Sequence, residues 1–128
     1  MSPLLLDTDV FSFLFKNHSL AELYRPRVAG HILAISFMTV AELYQGAYRA
    51  GSGATQIERL ESRIAAYVVV PSGNEISKKW GEVRFTRRAQ PISPEDAWIA
   101  AVALHQGYPL VTHNARDFQG IPIITERV

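Results

Sequence analysis

Two rhythms of apolar and polar positions alternate along the chain. Short apolar runs at residues 3–6, 31–36, 67–70, 110–112 and 122–124 predict β-strands. Between them, apolar residues recur at helical spacing. Residues 10–15, 20–28, 39–49, 56–66 and 75–88 predict helices. The stripe Val40, Leu43, Tyr44, Ala47 and Tyr48 marks one face of the third, and Gly51 stops it. Ser93-Pro94-Glu95-Asp96 is a helix start, with Ser93 as N-cap and Pro94 at the first helical position. That helix runs to Gln106 and ends at Gly107. Strands alternating with helices predict an α/β fold: a three-layer α/β/α sandwich around a parallel sheet of about five strands. At 128 residues, with no linker, repeat or low-complexity run, residues 1–128 are expected to form one domain.

Composition narrows the chemistry. The chain has no cysteine, which excludes disulfides, thiolate metal sites and a cysteine nucleophile. No secretory leader pattern is evident, and no apolar run approaches the roughly 18 residues of a membrane helix. The cytoplasm is the expected location. A net charge of +1 does not point to nucleic acid, but ten of the thirteen basic residues are Arg, the better bidentate partner for phosphate.

The acids carry the strongest signal. There are only four Asp: 7, 9, 96 and 117. Asp7 follows the first predicted strand inside the apolar run LLLDTDVFSFLF. Asp96 lies on the same helix stripe as Ile99, Ala100 and Ala103. Asp117 follows the fourth strand, and Glu42 sits early in the helix after the second. In open α/β sheets the carboxyl ends of the strands form the ligand crevice. Four carboxylates converging there would repel one another, and a divalent cation with oxygen ligands removes that penalty. Asp9 is expected to cap the first helix and add negative potential.

Three segments resemble one family. LLLDTDVFSFL, SFMTVAELYQGA and PEDAWIAAVALHQGYPLVTHNARDF are similar to the corresponding parts of PIN domains, and more narrowly of VapC-type toxins of toxin–antitoxin modules. The last block, with D-x-W-I-A-A, T-x-N and D-F in order, is the specific part. The resemblance implies metal-binding, catalytic carboxylates at Asp7, Glu42, Asp96 and Asp117, with support from the Thr112 hydroxyl and the Asn114 amide. It implies a Mg²⁺- or Mn²⁺-dependent endoribonuclease acting on tRNA or rRNA, a small antitoxin partner and a homodimer. Asp9 departs from the family's more usual Asn or small polar residue. Arg116, inside THNARDF, is the expected phosphate contact, and Arg87 and Arg88 are expected to track an RNA backbone.

Two other functions compete. LLLDTDV also fits the D-x-D-x-V start of haloacid-dehalogenase-like phosphatases, where Asp9 would be a general acid. That chemistry needs a Lys after a later strand, and Lys16, Lys78 and Lys79 are not so placed. A non-catalytic module, holding a metal structurally or binding a basic peptide, is the second. The four His (18, 31, 105, 113) show no ligand spacing, although His113 adjoins the site. Trp80 and Trp98 are expected in the core or an interface. The apolar side chains Phe11, Phe13, Leu14 and Phe15 are expected to line a groove for a partner.

Overall fold

The computed structural model describes residues 3–123, 125 and 126. Its elements are β1 (Leu4–Leu6), α1 (Thr8–Phe15), α2 (Ala21–Val28), β2 (Leu33–Ser36), α3 (Phe37–Arg49), α4 (Ala54–Ala65), β3 (Val68–Val70), α5 (Asn74–Thr86), α6 (Pro94–Gln106), β4 (Leu110–Val111), a 3₁₀ turn (Ala115–Phe118) and β5 (Thr125–Glu126). The strands form one sheet in the order β3-β2-β1-β4-β5, and every pairing is parallel. β1 is therefore central. The chain first builds outward through β2 and β3, then crosses to the other side of β1. The reversal lies between β1 and β4, where a parallel sheet opens a crevice at its carboxyl end.

Side chains alternate across the sheet because the strand period is two. Leu5, Ala34 and Leu110 face a core built on α5 and α6. Leu4, Leu6, Ile35 and Val111 face a second core with Val10, Phe11, Tyr24, Leu43, Leu60 and Ile64. The three-layer α/β/α arrangement follows. Helix α6 lies flush on the sheet because Ala97, Ala100, Ala101 and Ala103 are small and fully buried. Its ends match the sequence cues. Ser93 accepts from the Asp96 N–H at 3.1 Å, and Gly107 closes the helix at φ 70°, a left-handed conformation that favours glycine.

Two boundaries differ from expectation. Asp7, not Asp9, caps α1: its Oδ1 accepts from the Val10 N–H at 2.9 Å. The chain passes from strand to helix through a single extended residue, so Asp9 falls in the first turn. The fifth strand lies later than residues 122–124. Pro122 has no N–H for a ladder, and the Ile123 N–H turns back to Ile121 O at 2.7 Å. Ile124 lies outside the described residues, and the described pairing joins Thr125 and Glu126 to Leu110 and Val111.

Candidate metal centre at the switch of the sheet

Four buried polar side chains, Asp7, Ser36, Thr39 and Thr112, lie at the carboxyl ends of β1, β2 and β4. Buried polar groups are held by hydrogen bonds, and each of these is. Asp7 is 6% exposed. Its Oδ1 takes the Val10 N–H, and its Oδ2 accepts from the Thr112 hydroxyl at 2.5 Å. The same Thr112 oxygen accepts from the Asn114 N–H at 3.0 Å. One side chain thus ties the end of β1 to the loop after β4. Ser36 caps α3 through the Thr39 N–H at 3.0 Å. The Thr39 hydroxyl lies 3.0 Å from that of Thr8, and Thr8 donates to Glu42 Oε1 at 2.7 Å.

These supports surround a cleft of about 260 Å³, lined by Asp7, Thr8, Asp9, Glu42, Ser93, Glu95, Asp96, Ile99, Asn114, Asp117 and Phe118. All four acids singled out from the sequence line it, with Asp9 and Asn114. Thr112 stands behind Asp7. Asn114 Nδ2 donates to Asp9 Oδ2 at 3.1 Å, which orients the Asp9 carboxylate. Glu95, Thr8 and Ser93 join the lining without having been candidate site residues from the sequence. Their signal was adjacency: each is next to, or one turn from, an acid that was named.

Among the described residues, no Lys or Arg enters the lining. Arg116 is exposed on the 3₁₀ turn, outside it. The Arg87 guanidinium donates to the backbone carbonyls of Gln90, Asp117 and Gln119. Arg88 lies over the Phe85 ring at 4.1 Å. His113 packs among Phe13 and Tyr24, with its Nδ1 2.6 Å from the Tyr24 hydroxyl. Trp80 and Trp98 stack at 5.0 Å beside the α5–α6 core, as expected of anchors. Phe11 is in the core. Of the apolar side chains in α1 set aside for a partner, Phe15 alone lines the neighbouring groove of about 270 Å³ between α1, α3 and α4.

Crowded acids resist ionising. Burial pushes the Asp7 carboxyl up to about 6, against the Thr112 and Val10 hydrogen bonds, with the Asp9 and Asp96 charges adding to it. Asp96 also rises to about 6, from burial first and the Asp117 charge second, with Glu42 and Asp9 behind. Glu42 rises through burial, opposed by its Thr8 bond and aided by Glu95 and Asp9. Among the described residues, no group of three acids is drawn together tightly enough to grip an ion as it stands. The donor set nevertheless fits a hard cation: its acids are unneutralised by any basic side chain among the described residues of the lining, and they are backed by fixed hydroxyls.

Comparison with known proteins agrees with this geometry. The family model of the PIN domain matches residues 4–123. The chain is 32% identical over 121 residues to "Ribonuclease VapC1" of Haemophilus influenzae, covering 91% of this chain and 90% of that one. It is 28% identical over 124 residues to "tRNA(fMet)-specific endonuclease VapC" of Salmonella typhimurium, at 95% and 94% coverage. The solved structure of VapBC-1 from nontypeable Haemophilus influenzae superposes with a TM-score of 0.82 and 30% identity, over 98% of each chain. With the sheet order, the cleft at its switch point and the matched length all in agreement, the chain belongs to the PIN-domain family and, within it, to the VapC proteins.

Proposed function

We propose that the protein is a Mg²⁺- or Mn²⁺-dependent endoribonuclease, the toxin of a type II toxin–antitoxin pair, acting in the cytoplasm. One observation carries the reading. Asp7, Glu42, Asp96 and Asp117 line one cleft at the carboxyl end of the sheet, with no basic side chain among its described lining residues. The relatives named as ribonucleases support the substrate class.

Asp7, Glu42, Asp96 and Asp117 would hold the cation, and Asp9 and Asn114 would shape its approach. A bound divalent cation supplies Lewis-acid polarisation of the phosphodiester and lowers the pKa of an attacking water. The protein's own residues do the positioning. Val10 N–H and the Thr112 hydroxyl each take one Asp7 oxygen, leaving the remaining lone pairs for the cleft. Thr8 fixes Glu42, and Ser93 holds the start of α6 so that Asp96 faces inward. Raised carboxyl pKa values mean that cation binding must displace protons near pH 6.

The similar solved structures include a toxin–antitoxin complex from Klebsiella pneumoniae, and an antitoxin is the proposed partner. The groove between α1, α3 and α4 shares Thr8 and Glu42 with the acidic cleft. A partner seated there would close the cleft to RNA. A homodimer is the proposed assembly of the toxin itself.

The test is incubation of antitoxin-free protein with total RNA after EDTA treatment, with and without added Mg²⁺, followed by mapping of the cleaved ends. Cleavage restored by Mg²⁺ and lost in Asp7→Asn is expected. Full cleavage by verified metal-free protein would sink the mechanism. Phosphatase activity that depends on Asp9, without RNA cleavage, would favour the dehalogenase-like alternative.

A further inference from the structure

Asp117 differs from the other cleft acids in how it is held. It is exposed, and among the described residues nothing hydrogen-bonds its carboxylate. Its placement depends on the 3₁₀ turn that carries it. Its internal backbone bonds run from Asp117 N–H to Asn114 O at 3.0 Å and from Gln119 N–H to Arg116 O at 3.2 Å. Phe118 anchors it in the core.

An external tether comes from α5. Arg87 is the C-cap residue of that helix. Its Nη1 donates to Asp117 O at 3.0 Å and to Gln119 O at 2.9 Å, the carbonyls on either side of Phe118. Its Nε donates to Gln90 O at 2.9 Å. Arg84, one turn earlier, donates to Ile92 O at 2.9 Å. Gln90 and Ile92 belong to the loop that delivers Ser93 and the start of α6. The end of α5 is thereby stitched to the segments carrying both Asp96 and Asp117, two acids whose charges oppose each other.

We propose that Arg87 is a positioning residue: its guanidinium, bonded to the carbonyls of Asp117, Gln119 and Gln90, sets where the Asp117 turn stands against the Asp96 helix. The role rests on the nuclease reading above. It competes with the expectation that Arg87 tracks an RNA backbone, because three of the five guanidinium N–H groups, those of Nη1 and Nε, already go to carbonyls. A planar fork reaches three separated acceptors, whereas a Lys ammonium is a single point. Arg87→Lys therefore keeps the charge and loses the clamp.

The experiment compares wild type, Arg87→Lys and Arg87→Met as full chains in three measurements. The first is amide hydrogen exchange over residues 114–120. The second is Mn²⁺ binding. The third is the split between KM and kcat for RNA cleavage, with its salt dependence. Both variants are expected to exchange faster in the turn. Mn²⁺ binding and kcat should each fall about tenfold, as when a group behind a ligand is lost, with KM and its salt slope unchanged. Should Arg87→Met fail to fold, Arg87→Lys carries the test. Unchanged exchange and Mn²⁺ binding in Arg87→Lys would overturn the clamp. A raised KM with a shallower salt slope in Arg87→Met, again with unchanged exchange, would return Arg87 to RNA contact. A wild type that neither binds Mn²⁺ nor cleaves RNA would overturn the nuclease reading, and the exchange measurement would still judge the clamp.

Discussion

Asp7 and Asp117 leave neighbouring strands, β1 and β4, and reach the same cleft, but they are held in opposite ways. Asp7 is buried, caps a helix, and has both carboxylate oxygens bonded. Asp117 is exposed and is fixed through its backbone. The first arrangement holds a carboxylate rigidly at an electrostatic cost, visible in its raised pKa. The second leaves a carboxylate that can shift with little cost to the fold. One wall of the site is thus built into the core, and the other hangs from a turn.

The largest expected effect separates the two walls by function. Asp7→Asn should reduce RNA cleavage by about a hundredfold or more, the scale on which one preorganised group in a reacting centre is felt. The fold should survive, because Asn caps a helix as well as Asp does. Asp117→Asn should lose less, because its pliable turn allows water or a neighbour to substitute. Equal losses in the cleavage assay would erase the distinction between the walls.

Stability should divide them as well. Thr112→Val strands an Asp7 oxygen in the core and should cost about 1–3 kcal/mol, seen in chemical denaturation. Without that hydroxyl the Asp7 pKa should rise further, moving the acid limb of the pH–rate profile upward. Asn114→Ala breaks only an exposed bond to Asp9 and should scarcely change stability. A neutral Thr112→Val would mean that the rigid wall is not held as described.

The pH dependence of the metal-free protein follows from the same contrast. Asp7 and Asp96 have folded pKa values near 6, above the unfolded 3.8. Between those values the folded state holds protons that the unfolded state has released. These groups therefore favour folding at low pH, and that contribution fades as pH rises toward 6. In EDTA, melting temperature should fall from pH 5 to pH 7.5. Asp96→Asn should flatten the fall and, at pH 7.5, gain about 1 kcal/mol after allowance for its partial exposure. Wild type should gain about 2.7 kcal/mol from Mg²⁺ at a hundredfold excess over the dissociation constant, and the variant much less. If Asp96 served only to cap α6 and complement its dipole, the variant would lose stability instead.

The smallest effect is expected at Asp9. Asp9→Asn keeps the size of the side chain and can still meet Asn114 after an amide flip, so most RNA cleavage should remain. Its abolition would give Asp9 a direct part in the chemistry.

Much of this was legible in the residues. The parallel sheet, all six helices and the convergence of Asp7, Glu42, Asp96 and Asp117 followed from apolar periodicity and from acids at strand ends. What was not legible depended on single backbone residues or on partners distant in sequence. Whether Asp7 or Asp9 caps α1 turns on one extended residue, and both are favoured N-cap types. The displacement of β5 turns on Pro122. Arg87 read as a cation available to RNA because nothing local shows that its acceptors lie some 30 residues on, at Asp117 and Gln119. Glu95 was hidden because acids in a first helical turn have an ordinary dipole role.

The most direct test of the two-walled site is Mn²⁺ binding by calorimetry at pH 7.5 to wild type, Asp7→Asn and Asp117→Asn. Saturable binding to wild type, loss of that binding in Asp7→Asn and a clear weakening in Asp117→Asn are expected. Binding to both variants with wild-type affinity would contradict it, because the cation would then lie outside the cleft that these two acids share.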